Sequence, residues 1–387
     1  MKLLYYPIIL LMALILAACG GDEPKPVQPA EPEADPVSRT VLVYMVADNS
    51  LGGWGLDRED IDEMTTAVRA NGLNGGRLLV YWASKKSGES YPPRLLEITP
   101  EGEKVLKTYD TDGGVSSLDH SRIREVMADM KKLARAAGYG LVLWSHSNGW
   151  LGPSHPNDDR YRAFGEDGNV HITIPSLAKA LEDERFEFVY FDCCSMGNIE
   201  TLYELRHLAP VMVASPTELG VEGMPYDKNV PCFFVKTPNL ELAARNTFES
   251  YDAQGAECQI AVYDMTQIDT FARDSREVLS HITRYPSTAG LQPFINGQKC
   301  YSYDMEDYFN TITSGMTDCG MEAWRYSLGN FVTYHAATDW AIDQLRINVF
   351  NGLGCFVPNS AADLEYRQYK DLAWWRDVVS HTPAFQE

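Results

Sequence analysis

The chain has 387 residues, enough for one large domain or a domain with a substantial appendage. Its 54 acidic residues outnumber 33 basic ones and give a formal net charge of -21. That balance excludes nucleic acid and anionic lipid surfaces as partners, because both would repel it.

Lys2 precedes an apolar run from Leu3 to Leu16 that closes in Leu16-Ala17-Ala18-Cys19-Gly20. The run is short for a bilayer crossing, and small residues before a cysteine mark a secretory signal of the lipoprotein type. Residues 1–18 are expected to be a signal peptide, with Cys19 the acylated first residue of the mature chain. The alternative is a short membrane anchor with an incidental cysteine. Over residues 19–38, Pro24, Pro26, Pro29, Pro32 and Pro36 stand among Asp22, Glu23, Glu31, Glu33 and Asp35 with hardly any large apolar residue, the composition of a stiff, solvated tether. Acids so close behind Cys19 resemble the surface-export signal of some bacterial lipoproteins. The expected location is the bacterial envelope, at the outer membrane and facing outward, with the membrane reached by the lipid anchor only.

The body begins at Arg39. Residues 40–47 form an apolar run ending at Asp48-Asn49 and residues 78–83 form a second, both strand-like, with a helix between them. Residues 121–136 carry apolar side chains at helical spacing and lead through Gly138 and Gly140 into a strand that stops on Ser145-His146. Residues 174–181 read as a helix feeding 186–191, a strand that stops on Asp192-Cys193-Cys194, and 198–208 read as the helix that follows. A further strand, 211–214, closes with Ser215-Pro216. This alternation predicts an α/β fold, a mainly parallel sheet flanked by helices. The expected organisation is a catalytic domain over 39–263 and a C-terminal α/β subdomain over 264–387.

Parallel sheets place their sites at the carboxyl ends of strands, where this chain has a histidine and a cysteine. Of eight histidines only His146 directly caps an apolar strand, and it is followed by the loop-forming Ser147-Asn148-Gly149. Cys194 precedes a helical stretch whose unpaired N–H groups and dipole would stabilise a thiolate, and its own N–H would help hold an oxyanion. Cys193 is the rival nucleophile. Neighbours in an extended segment point to opposite faces, so one of the two cysteines faces His146. Asp192 reads either as a pocket acid or as a cap for the following helix. Cys232, Cys258, Cys300, Cys319 and Cys355 have no framework spacing, and buried free thiols are expected, as for Cys355 in Leu353-Gly354-Cys355-Phe356-Val357.

The two strand ends, His146-Ser147-Asn148-Gly149-Trp150 and Asp192-x-Cys194-x-Met196-x-x-x-Glu200, resemble the clostripain family of cysteine peptidases, which have a caspase-like fold. The resemblance extends to Ala47-Asp48-Asn49, to Ala214-Ser215 and to Gly352-Leu353-Gly354-Cys355-Phe356-Val357-Pro358, so it spans the chain from Arg39 onward. It implies a cysteine endopeptidase that cleaves after Arg or Lys through an acyl-enzyme. His146 would be the general base and acid, and Cys194 the nucleophile. Asp192 would bind the basic P1 side chain, with Ser215 a further substrate contact and the N–H groups of Ser147 and Cys194 serving the oxyanion. Ser147 stands where the family usually has glycine, Cys193 where it has alanine, and Ser195 where it has a larger apolar residue. Asp48, Glu218 and Glu222 are candidates for additional negative charge in the cleft.

Members of the family resemble one another in being processed between histidine and cysteine. Here the polar segment 152–170, with Arg160 and Arg162, is the expected place. No cofactor or metal motif is evident, and the sequence does not decide calcium dependence. The expected partners are peptide or protein substrates. Two other classes stay open: a cysteine hydrolase of another bond, such as an ester or thioester, and a binding lipoprotein that keeps the fold without activity.

Overall fold

A computed structural model of the protein describes residues 37–86, 89–111, 113–151, 163–295, 301–358, 360 and 364–386. The expected signal peptide, Cys19, the tether up to Pro36, and Arg160 and Arg162 lie outside the described residues.

Ten strands form the main sheet: β1 (Val37–Ala47), β2 (Arg77–Lys86), β3 (Glu89–Ser90), β4 (Arg94–Thr99), β5 (Gly102–Thr108), β6 (Ala136–Trp144), β7 (Phe188–Asp192), β8 (Val211–Ala214), β9 (Gln259–Asp264) and β10 (Val332–Ala337). Their spatial order is β10-β9-β8-β7-β6-β1-β2-β4-β5, with β3 paired to β2. The five central strands β2, β1, β6, β7 and β8 run parallel. The outer strands β4, β5, β9 and β10 are each antiparallel to the neighbour on their inner side.

Helices cover both faces, so the central strands are apolar on both sides. Alternation splits β1 between two cores: Leu42, Tyr44 and Val46 face one, and Val41, Val43, Met45 and Ala47 the other. After β1 come α1 (Ser50–Trp54) and α2 (Leu56–Asn71). Next, α3 (His120–Leu133), α4 (Ile174–Ala180) and α5 (Ile199–Glu204) pack on the Leu42 face. Then α6 (Tyr226–Phe233) and α7 (Leu240–Gln254) join α2 on the Val41 face, and α8 (Ile268–Leu279) returns to the first. The segment expected as a C-terminal subdomain adds β10 to the edge of this sheet and Trp324 and Trp374 to the first core.

Two sequence expectations shift. The helix expected over 121–136 ends at Leu133 and β6 begins at Ala136, because residues from Ala136 onward pair in register with β1 from Val37. Gly140 is a packing residue inside that strand, since a Cβ there would lie 2.4 Å from the Phe188 ring. Part of the segment expected as loop, Phe164–Asp167 and Val170–Ile172, is an antiparallel hairpin with Phe164 buried.

Candidate active site

The site stands at the carboxyl ends of β6 and β7, which run side by side with Trp144 opposite Asp192. Trp144 lies in the second core with Val142, and the two-residue period carries His146 toward the same face. On β7, Phe188 and Tyr190 belong to the second core, whereas Val189, Phe191 and then Cys193 belong to the first. Asp192 and Cys194 therefore emerge on the His146 side, and all three line one pocket of about 80 Å³. Leu51, Leu56, Leu219, Val221 and Tyr251 supply its apolar walls, and Asp60 and Asp192 are its acids. Cys193 is buried in the opposite layer, where desolvation and then its neighbour Cys194 push its thiol well up.

Cys194 is partly exposed, with its sulfur 3.4 Å from the Leu219 nitrogen and 3.7 Å from the Leu219 carbonyl oxygen. The helix expected over 198–208 runs from Ile199 to Glu204 with Asn198 as its cap, so its first turn starts five residues beyond Cys194. A helix terminus acts over about one turn, so the expected lowering of the thiol pKa by the dipole is not what the fold provides. Burial instead pushes the thiol up to about 11; the charges of Glu218 and Asp192 add to this and the Leu219 N–H opposes it. Ser195 follows in left-handed backbone, φ 56°, a conformation that costs a serine about 1–3 kcal/mol. Its N–H donates to the Thr217 carbonyl at 2.8 Å and its carbonyl accepts from Asn198 Nδ2 at 2.6 Å. These bonds hold the turn in place.

Gly149 explains the His-x-x-Gly spacing. Its φ is 74°, and a Cβ there would stand 2.5 Å from the Ser195 carbonyl oxygen and 2.6 Å from Asn198 Nδ2. Only glycine lets the loop after His146 rest on the turn after Cys194. Trp150 anchors that loop against Phe356 and Tyr369.

The hairpin braces the same loop. The Asn148 N–H donates to the Ala163 carbonyl and the Gly165 N–H to the His146 carbonyl, each at 2.9 Å. These bonds flank Ser147, whose own N–H turns away from the hairpin and has no acceptor among the described residues. The Ser147 hydroxyl donates to the Ala163 carbonyl at 2.8 Å. On the other side, Ser50 Oγ lies 2.8 Å from His146 Nε2.

Asp192 is not the cap of α5; Asn198 is. Its Oδ1 accepts the Met224 N–H at 3.0 Å and its Oδ2 the Tyr226 hydroxyl at 2.9 Å. Burial raises its carboxyl to about 6, against the opposing effect of those two donors. Ser215, expected as a substrate contact, is fully buried and does not line the pocket. Its hydroxyl donates to the Thr217 carbonyl at 2.9 Å and accepts the Thr217 N–H at 3.1 Å, which fixes the turn after β8. None of Asp48, Glu218 and Glu222 lines the pocket either, although Glu218 still acts on the Cys194 thiol through its charge.

Sequence reasoning missed Ser50 and Asp60. A signal for the second was present: Asp57 and Asp60 fall on the buried stripe of α2 with Ile61, Met64, Ala67 and Val68, where acids do not ordinarily sit. Asp57 Oδ2 accepts the Trp82 indole N–H and the Ser84 hydroxyl, both at 2.6 Å.

The family profile described as the clostripain family matches residues 43–348. Among solved structures, the chain is similar to an inactive zymogen C11 protease from Parabacteroides distasonis, with 28% identity over 88% of this chain and 98% of that one and a TM-score of 0.76. It is also similar to a secreted C11 cysteine protease from Bacteroides thetaiotaomicron in complex with an irreversible peptide inhibitor, at 24% identity over 88% and 99% of the two chains and a TM-score of 0.75. Iotapain, a secreted C11 cysteine protease from the same organism, gives 21% identity over 88% and 99% and a TM-score of 0.77. The last two establish a shared fold. Comparison with curated proteins finds no match.

Proposed function

The chain belongs to the clostripain family and is a cysteine peptidase of that type, and we propose that it is an endopeptidase cleaving after arginine or lysine by a Cys-His mechanism. The observation that carries this reading is the pocket: two buried carboxylates, Asp60 and Asp192, at the side of a partly exposed thiol, within apolar walls. A long basic side chain fits that combination, with its methylenes against Leu51, Leu56 and Leu219 and its cation among the acids.

In the proposed reaction the Cys194 sulfur attacks the scissile carbonyl carbon while His146 takes the thiol proton. The thiol is protonated at neutral pH because burial raises its pKa, so this transfer accompanies attack instead of preceding it. The oxyanion is met by the N–H groups of Ser147 and Cys194. Collapse breaks the C–N bond, His146 protonates the departing amine, and a thioester remains on Cys194. Water, deprotonated by His146, then attacks the thioester, releasing the carboxylic acid product and restoring the thiol.

Two further parts of the reading concern residues outside the described set. Cys19 is the lipid attachment point that holds the protein to the bacterial envelope, and its replacement by alanine should abolish incorporation of labelled palmitate. The chain is made latent and is cut at Arg160 or Arg162, a reading supported by the zymogen state named for the Parabacteroides distasonis relative. Turnover of fluorogenic peptides ending in Arg, Lys or a neutral residue, beside a Cys194→Ala control, tests the principal proposal; a wild type that ignores P1 charge would refute it.

A further inference from the structure

Asp60 lies on α2, far in sequence from both strand ends, yet it lines the pocket beside Cys194. It is 6% exposed, and its Oδ2 accepts the Trp144 indole N–H at 2.7 Å, which fixes the carboxyl plane. Its Oδ1 has no hydrogen-bond donor among the described residues. Gly223 measures how near the two acids stand: a Cβ there would be 3.6 Å from each Asp60 oxygen and 4.0 Å from Asp192 Oδ2. Oxygens of both carboxyls thus surround one small volume, held open by a residue without a side chain.

We propose that Asp60 is a second specificity-determining residue of the P1 pocket, its uncommitted Oδ1 acting with Asp192 to hold the guanidinium or ammonium group of an arginine or lysine side chain. The inference rests on the reading of this pocket as the P1 site. The charged groups acting on Asp60 are acids: Asp192 first, with Glu63 and Asp57 adding to it, and burial together with these charges raises its carboxyl well above the ordinary range. Neither Asp60 nor Asp192 forms an ion pair with lysine or arginine among the described residues. Buried acids without a cation are electrostatically incomplete, and a bound cation with several donors completes them. Asp192 already accepts from Met224 and Tyr226, so Asp60 offers the larger unused accepting capacity. A guanidinium, with five donors in a rigid fork, can engage both carboxyls at once.

The test compares peptides that differ only at P1, carrying arginine, lysine or citrulline, the uncharged near-isostere of arginine. Competent enzyme is counted by stoichiometric alkylation of Cys194 with iodoacetamide. Asp60→Asn keeps an acceptor for Trp144 and removes the charge, and it should lower the ratio of kcat/KM for arginine over citrulline by about tenfold or more, with lysine falling alongside arginine. Asp60→Ser is read in the same way should the asparagine variant not fold. An unchanged ratio, or a loss shared equally by all three substrates, overturns the role given to Asp60. A wild type that cleaves citrulline as readily as arginine refutes the basic P1 reading itself, whatever the variants do.

Discussion

The hydroxyl of Ser50 lies 2.8 Å from Nε2 of His146, so a side chain from the start of α1 grips the histidine at the end of β6. Ser50 itself follows Asn49, whose Oδ1 accepts the Leu51 N–H at 2.9 Å and caps α1, so the grip comes from a fixed turn. A hydrogen bond of this kind orients the ring and selects the nitrogen that exchanges the proton. Ser50→Ala should lower kcat by roughly two- to tenfold, the worth of one ordinary hydrogen bond, with KM little changed. Steady-state kinetics with a matched pH profile checks this, and an unaltered kcat and profile would show that the contact plays no part in turnover.

Asp192 tests the pocket from the β7 side. Asp192→Asn removes the charge while its amide oxygen can still accept the Met224 N–H and its NH2 can donate to the Tyr226 hydroxyl oxygen, so the fold should survive. Loss of a charge-assisted contact corresponds to about 1.5 to 3 kcal/mol in kcat/KM for Arg and Lys substrates. The same P1 profile in a folded variant would leave Asp192 with a structural role.

Glu200 makes the stability of the fold depend on pH. It is fully buried, its Oε1 accepts the Phe356 N–H at 2.9 Å, and burial raises its carboxyl from 4.5 to about 8. The native state therefore holds this proton more tightly than the unfolded chain does. No penalty exists below pH 4.5; it accumulates as pH rises to about 8 and then levels, on the order of 5 kcal/mol in all. Urea unfolding at pH 5 and pH 8 should show a smaller loss of stability across that window in Glu200→Gln than in wild type. Parallel curves would mean that Glu200 does not titrate within it.

Processing is predicted to follow Arg160 or Arg162. Just beyond them Ala163 and Gly165 are bonded to the His146 loop on both sides of Ser147, so a cut there would leave a new amino terminus tied to the site. Purified wild type should convert to two associated fragments, and Cys194→Ala should remain intact. Full activity from a chain shown by mass spectrometry to be uncut would contradict the activation step.

The parallel core of the sheet was legible because β1, β6 and β7 are buried on both faces and read as unbroken apolar runs that stop on polar residues. His146, Asp192 and Cys194 were legible for the same reason, as reactive side chains at those stops. The period-two argument also put the two adjacent cysteine side chains on opposite faces, and Cys193 packs in the first core although both residues border the pocket. The start of the helix after Cys194 was read to within a residue, but the shape of the turn that leads into it was not legible. It depends on a left-handed serine and on bonds from Ser195 to Thr217 and Asn198, of which the Thr217 partner is distant in sequence. Asp60 was hidden because its neighbours in space, Trp144 and Asp192, come from other strands, and because α2 reads as an ordinary amphipathic helix unless its buried acids are counted.

The central claim is that Cys194 is the nucleophile, and substitution of the two adjacent cysteines tests it most directly. Turnover of Arg- and Lys-terminated fluorogenic peptides and labelling by a thiol-directed peptidyl inhibitor should both vanish in Cys194→Ala and both persist in Cys193→Ala, whose side chain faces the opposite core. Turnover and labelling that survive loss of Cys194 but disappear with Cys193 would contradict the account.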